Sequence, residues 1–476
     1  MPKALFGRRV IYTDTDNITS ENILEVLGKA LKVHLLNVSE IEYLLKYYRG
    51  NQPILERTKE YNTEICNQIV ENRANEIVAF KVGYLMGEPV QYVARKGEEA
   101  VDDINLLNDY VFSEDKASKD RELAEWWHVC GTSYRMCLPN PNADEDEAPF
   151  TIYTMDPRNT FVVYWSGLGH KPVMGVNYVK QENGDVIFTC YTKNGIYSCY
   201  ASAPGVAGIM APTQIRAEIN HIYGDIPIVE YPANSSRLGA FEIVLPLLDM
   251  INNLASNRMD GVEQFIQAIL CLKGTDLTDD EFEKVKEYGG LSLPADGDAK
   301  YLTSQLDQSQ TQTLVSNEYN TVLTICGMPN RNGGTSTSDN GVAVIYRDGW
   351  QAAEARAKDS EGVFKLSEKK FLKILLEIMN TYRGTNLRVS QIDIRFTRRN
   401  YEDILSKSQV LTTMLANPKI HPILAFEHCG MFVDPERAYS ISDEYYKAVK
   451  AEEAKRLKSF ANSQHSEEDI VVEEAE

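Results

Sequence analysis

The feature that most constrains this chain is a succession of helices between Phe241 and Tyr382. A helix, a compact insertion, a second helix, a loop and a very long helix follow one another there. Apolar residues of the first helix recur on one face, at Leu248, Ile251, Ala255, Met259 and Val262. The opposite face is polar, and we expect it to stay solvated: Asp249, Asn252, Asn253, Ser256, Asn257 and Asp260.

The second helix is expected at about Ser309 to Cys326 and should end at Gly327-Met328-Pro329. Glycine accepts a positive φ there, and the proline prevents continuation. The next eleven residues offer no apolar group to bury and predict a mobile loop: Asn330, Arg331, Asn332, Gly333, Gly334, Thr335, Ser336, Thr337, Ser338, Asp339 and Asn340. From Gly341 a helical pattern continues to about Tyr382, with bends expected at Gly349 and Gly362.

Composition bounds the function as well as the size. The chain has 476 residues, of which 43% are hydrophobic, so it can bury a sizeable core. Its formal net charge of −20 argues against a protein that grips nucleic acid by neutralising phosphates. The eight cysteines form no CxxC pair, which favours reduced and mostly buried thiols. No apolar run is long enough to span a membrane.

Helices and strands are expected in the first half of the chain. Two helices should follow the first 17 residues, the second opening with a capping box of Ser39 and Glu42. Further helices are expected at Asn67–Leu85 and Asp120–His128. Alternating patterns then predict one antiparallel sheet, with strands at 151–153, 160–164, 173–180, 186–191 and 195–200.

Several short motifs together resemble one family. They are Tyr47-Tyr48-Arg49-Gly50, Gly83-Tyr84-Leu85-Met86-Gly87-Glu88-Pro89, the segment 224–234, and Gly327-Met328-Pro329 followed by Gly341-Val342-Ala343. This succession resembles the portal proteins of tailed double-stranded-DNA bacteriophages, in the form carried by siphophages of Gram-positive hosts. One departure is Gln52, near which the family often has a histidine.

The resemblance implies an α+β portal fold with an outer α/β wing, central channel (stem) helices, an inserted α/β clip, a long kinked helix and a C-terminal helical crown. The regions would be an arm at 1–17, the wing at 18–235, stem helices at 236–266 and 308–327 around the clip at 267–307, a tunnel loop at 328–341, the long helix and a wing strand at 342–400, the crown at 401–460 and a disordered acidic tail at 461–476.

The resemblance also implies a role for particular residues. The loop Asn330–Asn340 would touch passing DNA, and the clip would dock partners through acidic residues: Asp276, Asp279, Asp280, Glu281, Glu283 and Glu287. An exposed helix face explains that acidic run nearly as well. A duplex that must slide cannot be held by rows of cations. Polar and acidic side chains are therefore expected to line the channel, at Asp249, Asn253, Asn257, Asp260 and Asn320, with Arg258 and Lys273 as exceptions that would cross to a neighbouring subunit.

The implied function is a ring of twelve subunits at one vertex of the virion capsid, through which double-stranded DNA is packaged and ejected without sequence preference. Its implied partners are the terminase large subunit, the head-tail connector, scaffolding and major capsid proteins, with assembly in the host cytoplasm and no membrane. Two alternatives remain open from the residues alone. One is a virion-associated hydrolase or nuclease, and the other is a cellular oligomeric scaffold or pore.

Enzyme signatures are mostly missing from the sequence. It has no GxxxxGK[ST] phosphate loop and no HExxH pair. Ser113-Glu114-Asp115-Lys116 and Ser338-Asp339-Asn340 match two of three penicillin-binding signatures, but the third, Lys-Thr-Gly, is missing. We therefore expect no catalytic residues, no metal and no cofactor.

Overall fold

The computed structural model describes residues 7–60, 63–95, 100–202, 212–221, 224–266, 269–273, 298–302, 308–330, 349–397, 404–432 and 434–473. Within them the helices are α1 (Ile23–Tyr48), α2 (Arg73–Leu85), α3 (Val101–Ser113), α4 (Lys116–Cys130), α5 (Leu245–Ile266), α6 (Gln308–Cys326), α7 (Trp350–Arg383), α8 (Ile404–Leu415), α9 (Pro422–Cys429) and α10 (Pro435–Glu473). The strands are β1 (Ile11–Thr13), β2 (Gln91–Ala94), β3 (Thr132–Pro139), β4 (Phe150–Met155), β5 (Thr160–Trp165), β6 (Pro172–Lys180), β7 (Val186–Tyr191), β8 (Gly195–Ala201), β9 (Gln214–Asn220), β10 (Ile228–Pro232), β11 (Ile269–Lys273), β12 (Asp298–Leu302) and β13 (Ile392–Arg395).

The largest sheet has the strand order β1-β5-β6-β7-β8-β9. It is antiparallel except for the parallel pair of β1 and β5. Burial alternates strictly along β8, as the sequence pattern predicts, and the buried side packs on α1. The four predicted strands from 160 to 200 are confirmed. The predicted strand 151–153 belongs instead to a second sheet, with the order β10-β3-β4.

The two sheets face each other across a small core that includes Met136, Val162 and Ile228. On its other side the second sheet packs against α3, α4 and α7, where Trp127 and Phe371 are buried. A wing strand was expected after the long helix, within residues 342–400. Only Ile392–Arg395 is a strand, and it pairs with β2 in a separate two-stranded sheet.

Helix α1 is one continuous helix, so the predicted break at the capping box of Ser39 and Glu42 is wrong. Its buried positions run without interruption through Asn37, Ile41 and Leu44, on a single face. A continuous buried stripe outweighs a local capping signal because most helical stability in a protein comes from packing.

Helix α7 runs unbroken through Gly362 from Trp350 to Arg383. Gly349 lies just outside it, with φ +81°, so it precedes the helix and does not bend it. Only Ala353 and Ala357 are buried in the first part of α7, whereas Phe364, Phe371, Leu375 and others are buried in the second. The second part is therefore the one that is fixed to the core.

The C-terminal helices α8, α9 and α10 follow the predicted helical region. Helix α10 continues to Glu473 and thus includes most of the segment 461–476 for which the acidic composition predicted disorder. From Ser440 to Leu457 it contains no buried residue. The described cysteines are free thiols, as expected, and six of the seven are buried.

Two histidines are buried in the uncharged form. Burial lowers the pKa of His34 to about 4, although the Arg158 carbonyl, 3.0 Å from Nε2, opposes this change. Burial, with a smaller contribution from Lys81, lowers the pKa of His128 to about 3. Below about pH 6.5 the unfolded state binds more protons at these histidines than the folded state does. Protonation therefore lowers the free energy of unfolding below that pH and has no such effect above it.

We expect the free energy of unfolding to fall as the pH is lowered from about 6.5 towards 4, by up to about 1.4 kcal/mol per pH unit for each histidine. Urea unfolding at several pH values measures this slope. The double variant His34→Gln/His128→Gln should have a flatter slope over the same range, while His170→Gln, at an exposed position, should match the unmodified protein. Equal slopes in all three proteins would contradict the assignment.

Candidate functional site

The start of α5 is held by contacts with the N-terminal segment and with the end of α4. Ala240 N–H donates to the His128 carbonyl at 2.7 Å. The buried Glu242 carboxylate accepts Gly239 N–H at 2.8 Å and the Arg8 guanidinium at 2.5 Å. These contacts join the N-terminal segment, the end of α4 and the start of α5. They therefore set the direction in which α5 begins.

One polar face of α5 is buried, contrary to the expectation that it stays solvated. Asn252 and Ser256 are 0% exposed, and Asp260 is 3% exposed. They lie four residues apart, on one line along the helix. Their side-chain oxygens accept backbone N–H groups of an extended segment: Glu71 to Asn252 at 2.8 Å, Ile69 to Ser256 at 3.0 Å, and Asn67 to Asp260 at 2.7 Å.

This contact explains two differences from the sequence-based expectation. Residues 67–72 were predicted as helix, but their alternate N–H groups are taken by α5, and α2 begins only at Arg73 with Asn72 as its N-cap. Asp260 was predicted to line a channel. Its carboxylate is instead enclosed within the chain, so that prediction is corrected.

Two cationic side chains also contact the Asp260 carboxylate. Arg57 Nη1 lies 3.0 Å from its carboxylate, and Lys59 Nζ contacts the same oxygen. Burial opposes ionisation of Asp260, but Lys59, the Asn67 amides and Arg57 outweigh it and lower its pKa to about 2. Asp260 is therefore charged at any physiological pH.

The remaining predicted channel residues of α5 lie closer to the surface. Asn253 and Asn257 are exposed, and Asn257 Oδ1 accepts a hydrogen bond from Arg57. Asp249 is half-buried and accepts the Tyr47 hydroxyl at 2.8 Å. Burial raises the pKa of Asp249, although this hydrogen bond opposes the change. The exposed side chains of α5 thus include amides, and its partly covered charged residues are Asp249, Arg258 and Glu263, with Arg258 Nη1 donating to Gln312 Oε1 at 2.6 Å.

Helix α6 exposes an almost uncharged surface. Glu318 is the only charged residue among its 19, and it is half-buried. Asn320, the predicted channel residue here, is half-buried and accepts the Asn330 amide at 3.2 Å. Among the described side chains of α5 and α6, every exposed one is uncharged. Ordinary solvent-exposed helices carry Lys and Glu instead.

The fixed part of α7 is attached through one buried carboxylate. Glu368 is 0% exposed. Its Oε1 accepts the Tyr92 hydroxyl at 2.6 Å and lies 2.9 Å from Lys116 Nζ, and its Oε2 accepts the Tyr231 hydroxyl at 2.6 Å and lies 3.4 Å from Arg135 Nη1. Burial opposes ionisation, but Lys116 and Arg135 outweigh it and lower the pKa of Glu368 to about 2.

The other predicted site residues lie outside the described residues, apart from Asn330. These are the loop residues 331–340 and the acidic clip residues Asp276, Asp279, Asp280, Glu281, Glu283 and Glu287. The antiparallel pair of β11 and β12 flanks that acidic stretch, and it includes the predicted apolar strand at 267–273. Those assignments stay predictions.

Two further properties concern the described residues alone. They contain no group of three or more His, Cys, Asp or Glu side chains that could hold a metal ion. Among their helices, none is both long and apolar enough to span a membrane.

Comparison with known proteins identifies the class. Residues 27–465 match the family described as phage portal protein, SPP1 Gp6-like. The match covers nearly the whole chain, so the chain belongs to the phage portal protein family. This family is structural, and the chain is therefore a structural component of a phage-like particle. The resemblance noted in the short sequence motifs is confirmed, as is the α+β portal fold.

Solved structures give weaker similarities. One is a chain from the neck of an empty gene transfer agent (GTA) particle, with 14% identity, a TM-score of 0.41, and coverage of 76% of this chain and 90% of that one. Another is from the virion of a native GTA particle, with 12% identity, a TM-score of 0.42, and coverage of 83% and 94%. No curated protein matches this chain.

Proposed function

We propose that copies of this chain, twelve as the family implies, close into a ring at one capsid vertex and that DNA enters and leaves the capsid through its bore. The observation that carries this proposal is the uncharged exposed surface of α5 and α6. Each phosphate neutralised by a Lys or Arg side chain would add a salt-dependent hold on the duplex. Amides and hydroxyls form only weak, exchangeable contacts with it.

The isolation of α10 supports assembly from many copies. From Ser440 to Leu457 it has no buried side chain, and Ile441, Tyr445 and Leu457 are 59%, 73% and 71% exposed. A single helix without tertiary packing is only marginally stable in water. Neighbouring copies of the same helix in a ring would cover these side chains.

In this proposal α5 and α6 form the channel wall, with Asn253, Asn257 and Asn320 facing DNA and Asp249 at the margin. The loop Asn330–Asn340 touches the duplex. The acidic clip docks the terminase large subunit and later the head-tail connector, while other surfaces meet scaffolding and major capsid proteins. The ring assembles in the host cytoplasm, and the chain itself catalyses no reaction.

We expect electron microscopy of the purified protein to show rings with an axial hole. Deletion of Gly333–Asn340 should leave the rings intact and reduce DNA packaging, because the segment proposed to contact DNA is lost while the helices that carry it remain. Packaging is measured as nuclease-protected DNA per particle. Compact monomers would refute the ring, whereas normal packaging by the deletion variant would remove only the loop from the mechanism.

A further inference from the structure

Two cations lie beside the open face of α5. Arg57 and Lys59 follow the short 3₁₀ helix Pro53–Glu56, and their side chains are only 14% and 21% exposed. Arg57 donates to Asn257, an exposed residue of the surface proposed to face DNA. The Arg57 guanidinium therefore lies between that surface and the enclosed carboxylate of Asp260.

Both cations have acceptors within the chain. Arg57 Nη1 lies 3.0 Å from Asp260 and donates to the Asn67 carbonyl at 2.9 Å. Lys59 Nζ contacts Asp260 and donates to the Ile65 carbonyl at 2.9 Å. Strong donors that already have good acceptors gain little from a passing phosphate, because they would exchange one ionic hydrogen bond for another.

The charges in this cluster also balance. Asn67 links Asp260 to Glu263, since its side-chain amide donates to Asp260 at 2.9 Å and to Glu263 at 3.1 Å. The cluster therefore contains two cations and two carboxylates. At the distance of a duplex in the bore, its field is that of a neutral patch, further screened by salt.

We propose that Asp260 is a positioning residue that withholds Arg57 and Lys59 from the phosphates of DNA in the channel. This inference rests on the proposed function, since it requires the exposed face of α5 to meet DNA. In this proposal Asp260 does not line the channel. It lies beneath the surface of α5 that is proposed to face DNA. Its loss would release two cations per subunit towards the surface at Asn257.

The test uses assembled rings and a fluorescently labelled linear duplex of random sequence, with binding followed by anisotropy from about 50 to 200 mM salt. Asp260→Asn should raise the affinity at the lowest salt by about tenfold or more. It should also steepen the plot of log K against log salt by about 0.9 for each released cation that contacts a phosphate.

Two control variants separate the carboxylate from the cations. Arg57→Gln/Lys59→Gln/Asp260→Asn should return to the affinity of the unmodified ring, because nothing is left to release. Arg57→Gln/Lys59→Gln alone should keep the salt slope of the unmodified ring, because the pair is already withheld from phosphates, although Asp260 and Glu263 lose their counter-charges. That comparison decides the matter should Asp260→Asn fail to fold.

Three results would overturn the inference. One is an Asp260→Asn ring whose DNA affinity is unchanged. Another is a plot of log K against log salt for Arg57→Gln/Lys59→Gln that is shallower than that of the unmodified ring by about 0.9 or more, which would mean that the pair already contacts phosphates. The third is a folded Asp260→Asn protein that no longer forms rings, which would assign the cluster to the subunit interface. None of these results would contradict the proposed channel. That proposal would be contradicted by unmodified protein that forms no ring with an axial hole.

Discussion

Glu368→Gln is expected to lower the free energy of unfolding by about 3–5 kcal/mol, because it leaves two buried cations with a single counter-charge. Lys116 and Arg135 are 3% and 0% exposed, and only Asp120 would then remain to balance them. The glutamine keeps the shape of the side chain, so the loss comes from charge and hydrogen bonding. Because the cluster joins α4, β3 and α7, we expect the packing of α4 and β3 against α7 to loosen.

Urea unfolding followed by tryptophan fluorescence measures this loss, with Trp127 buried in the same core. Glu25→Gln is the matched control, because Glu25 forms an ion pair with Lys29 in which both side chains are 72% exposed. This substitution should leave the free energy of unfolding nearly unchanged, because an ion pair in water contributes little. A loss below about 1 kcal/mol for Glu368→Gln would show that the cluster contributes little to stability.

The low pKa of Glu368 adds a pH dependence with a defined sign. Its folded-state pKa of about 2 lies below the ordinary value of 4.5. The stabilisation is therefore fully present above about pH 4.5 and is lost as the pH falls towards 2. Glu368→Gln should remove this part of the acid sensitivity, leaving the part due to the buried histidines at higher pH.

Regular periodicity made the secondary structure largely readable from the sequence. The strand patterns of β5 to β8 and the helical stripe of α6 each depend on residues close together in the chain, and these elements are confirmed, although burial alternates strictly only along β8. The break expected at Ser39 failed because a capping signal is local, whereas the packing of α1 against the largest sheet is not. Motif order gave the family, since several short blocks in one succession are far more specific than any single block.

The site was readable only in part, because its main contacts join distant parts of the chain. Asn67 and Asp260 are 193 residues apart, and Arg135 and Glu368 are 233 apart. Polar residues at four-residue spacing on α5 look the same whether they face water or backbone N–H groups. The one available signal was the segment 67–72 itself: Asn67 and Asn72 flank it, and asparagine favours turns and caps over helix interiors.

Gly131→Ala is expected to lower the free energy of unfolding by at least about 3 kcal/mol, the second large effect. Gly131 ends α4 with φ +77°, a conformation that costs other residues about 1–2 kcal/mol. A Cβ there would also lie 2.1 Å from the carbonyl oxygen of Arg237. Because that neighbour is backbone, no side-chain rotation relieves the overlap.

Gly384→Ala separates the two costs of this substitution. Gly384 ends α7 with φ +68°, and a Cβ there would meet nothing within 4 Å. It should therefore show only the conformational cost of about 1–2 kcal/mol. Equal losses at the two positions, measured by urea unfolding, would mean that the approach of Arg237 to Gly131 is not tight in solution.

The position of Gly131 gives its substitution a second consequence. The backbone segment from Arg237 to Glu242 leads into α5. Arg8 contacts it on one side, and the end of α4 contacts it on the other. To accommodate a methyl group, this segment must move away from α4, and α5 must turn with it. In a ring, a small turn at the start of α5 is repeated in every subunit and displaces the channel wall. If the proposed channel is correct, rings of Gly131→Ala that still form should therefore package less DNA than rings of Gly384→Ala, since only the first substitution lies beside the segment that leads into α5.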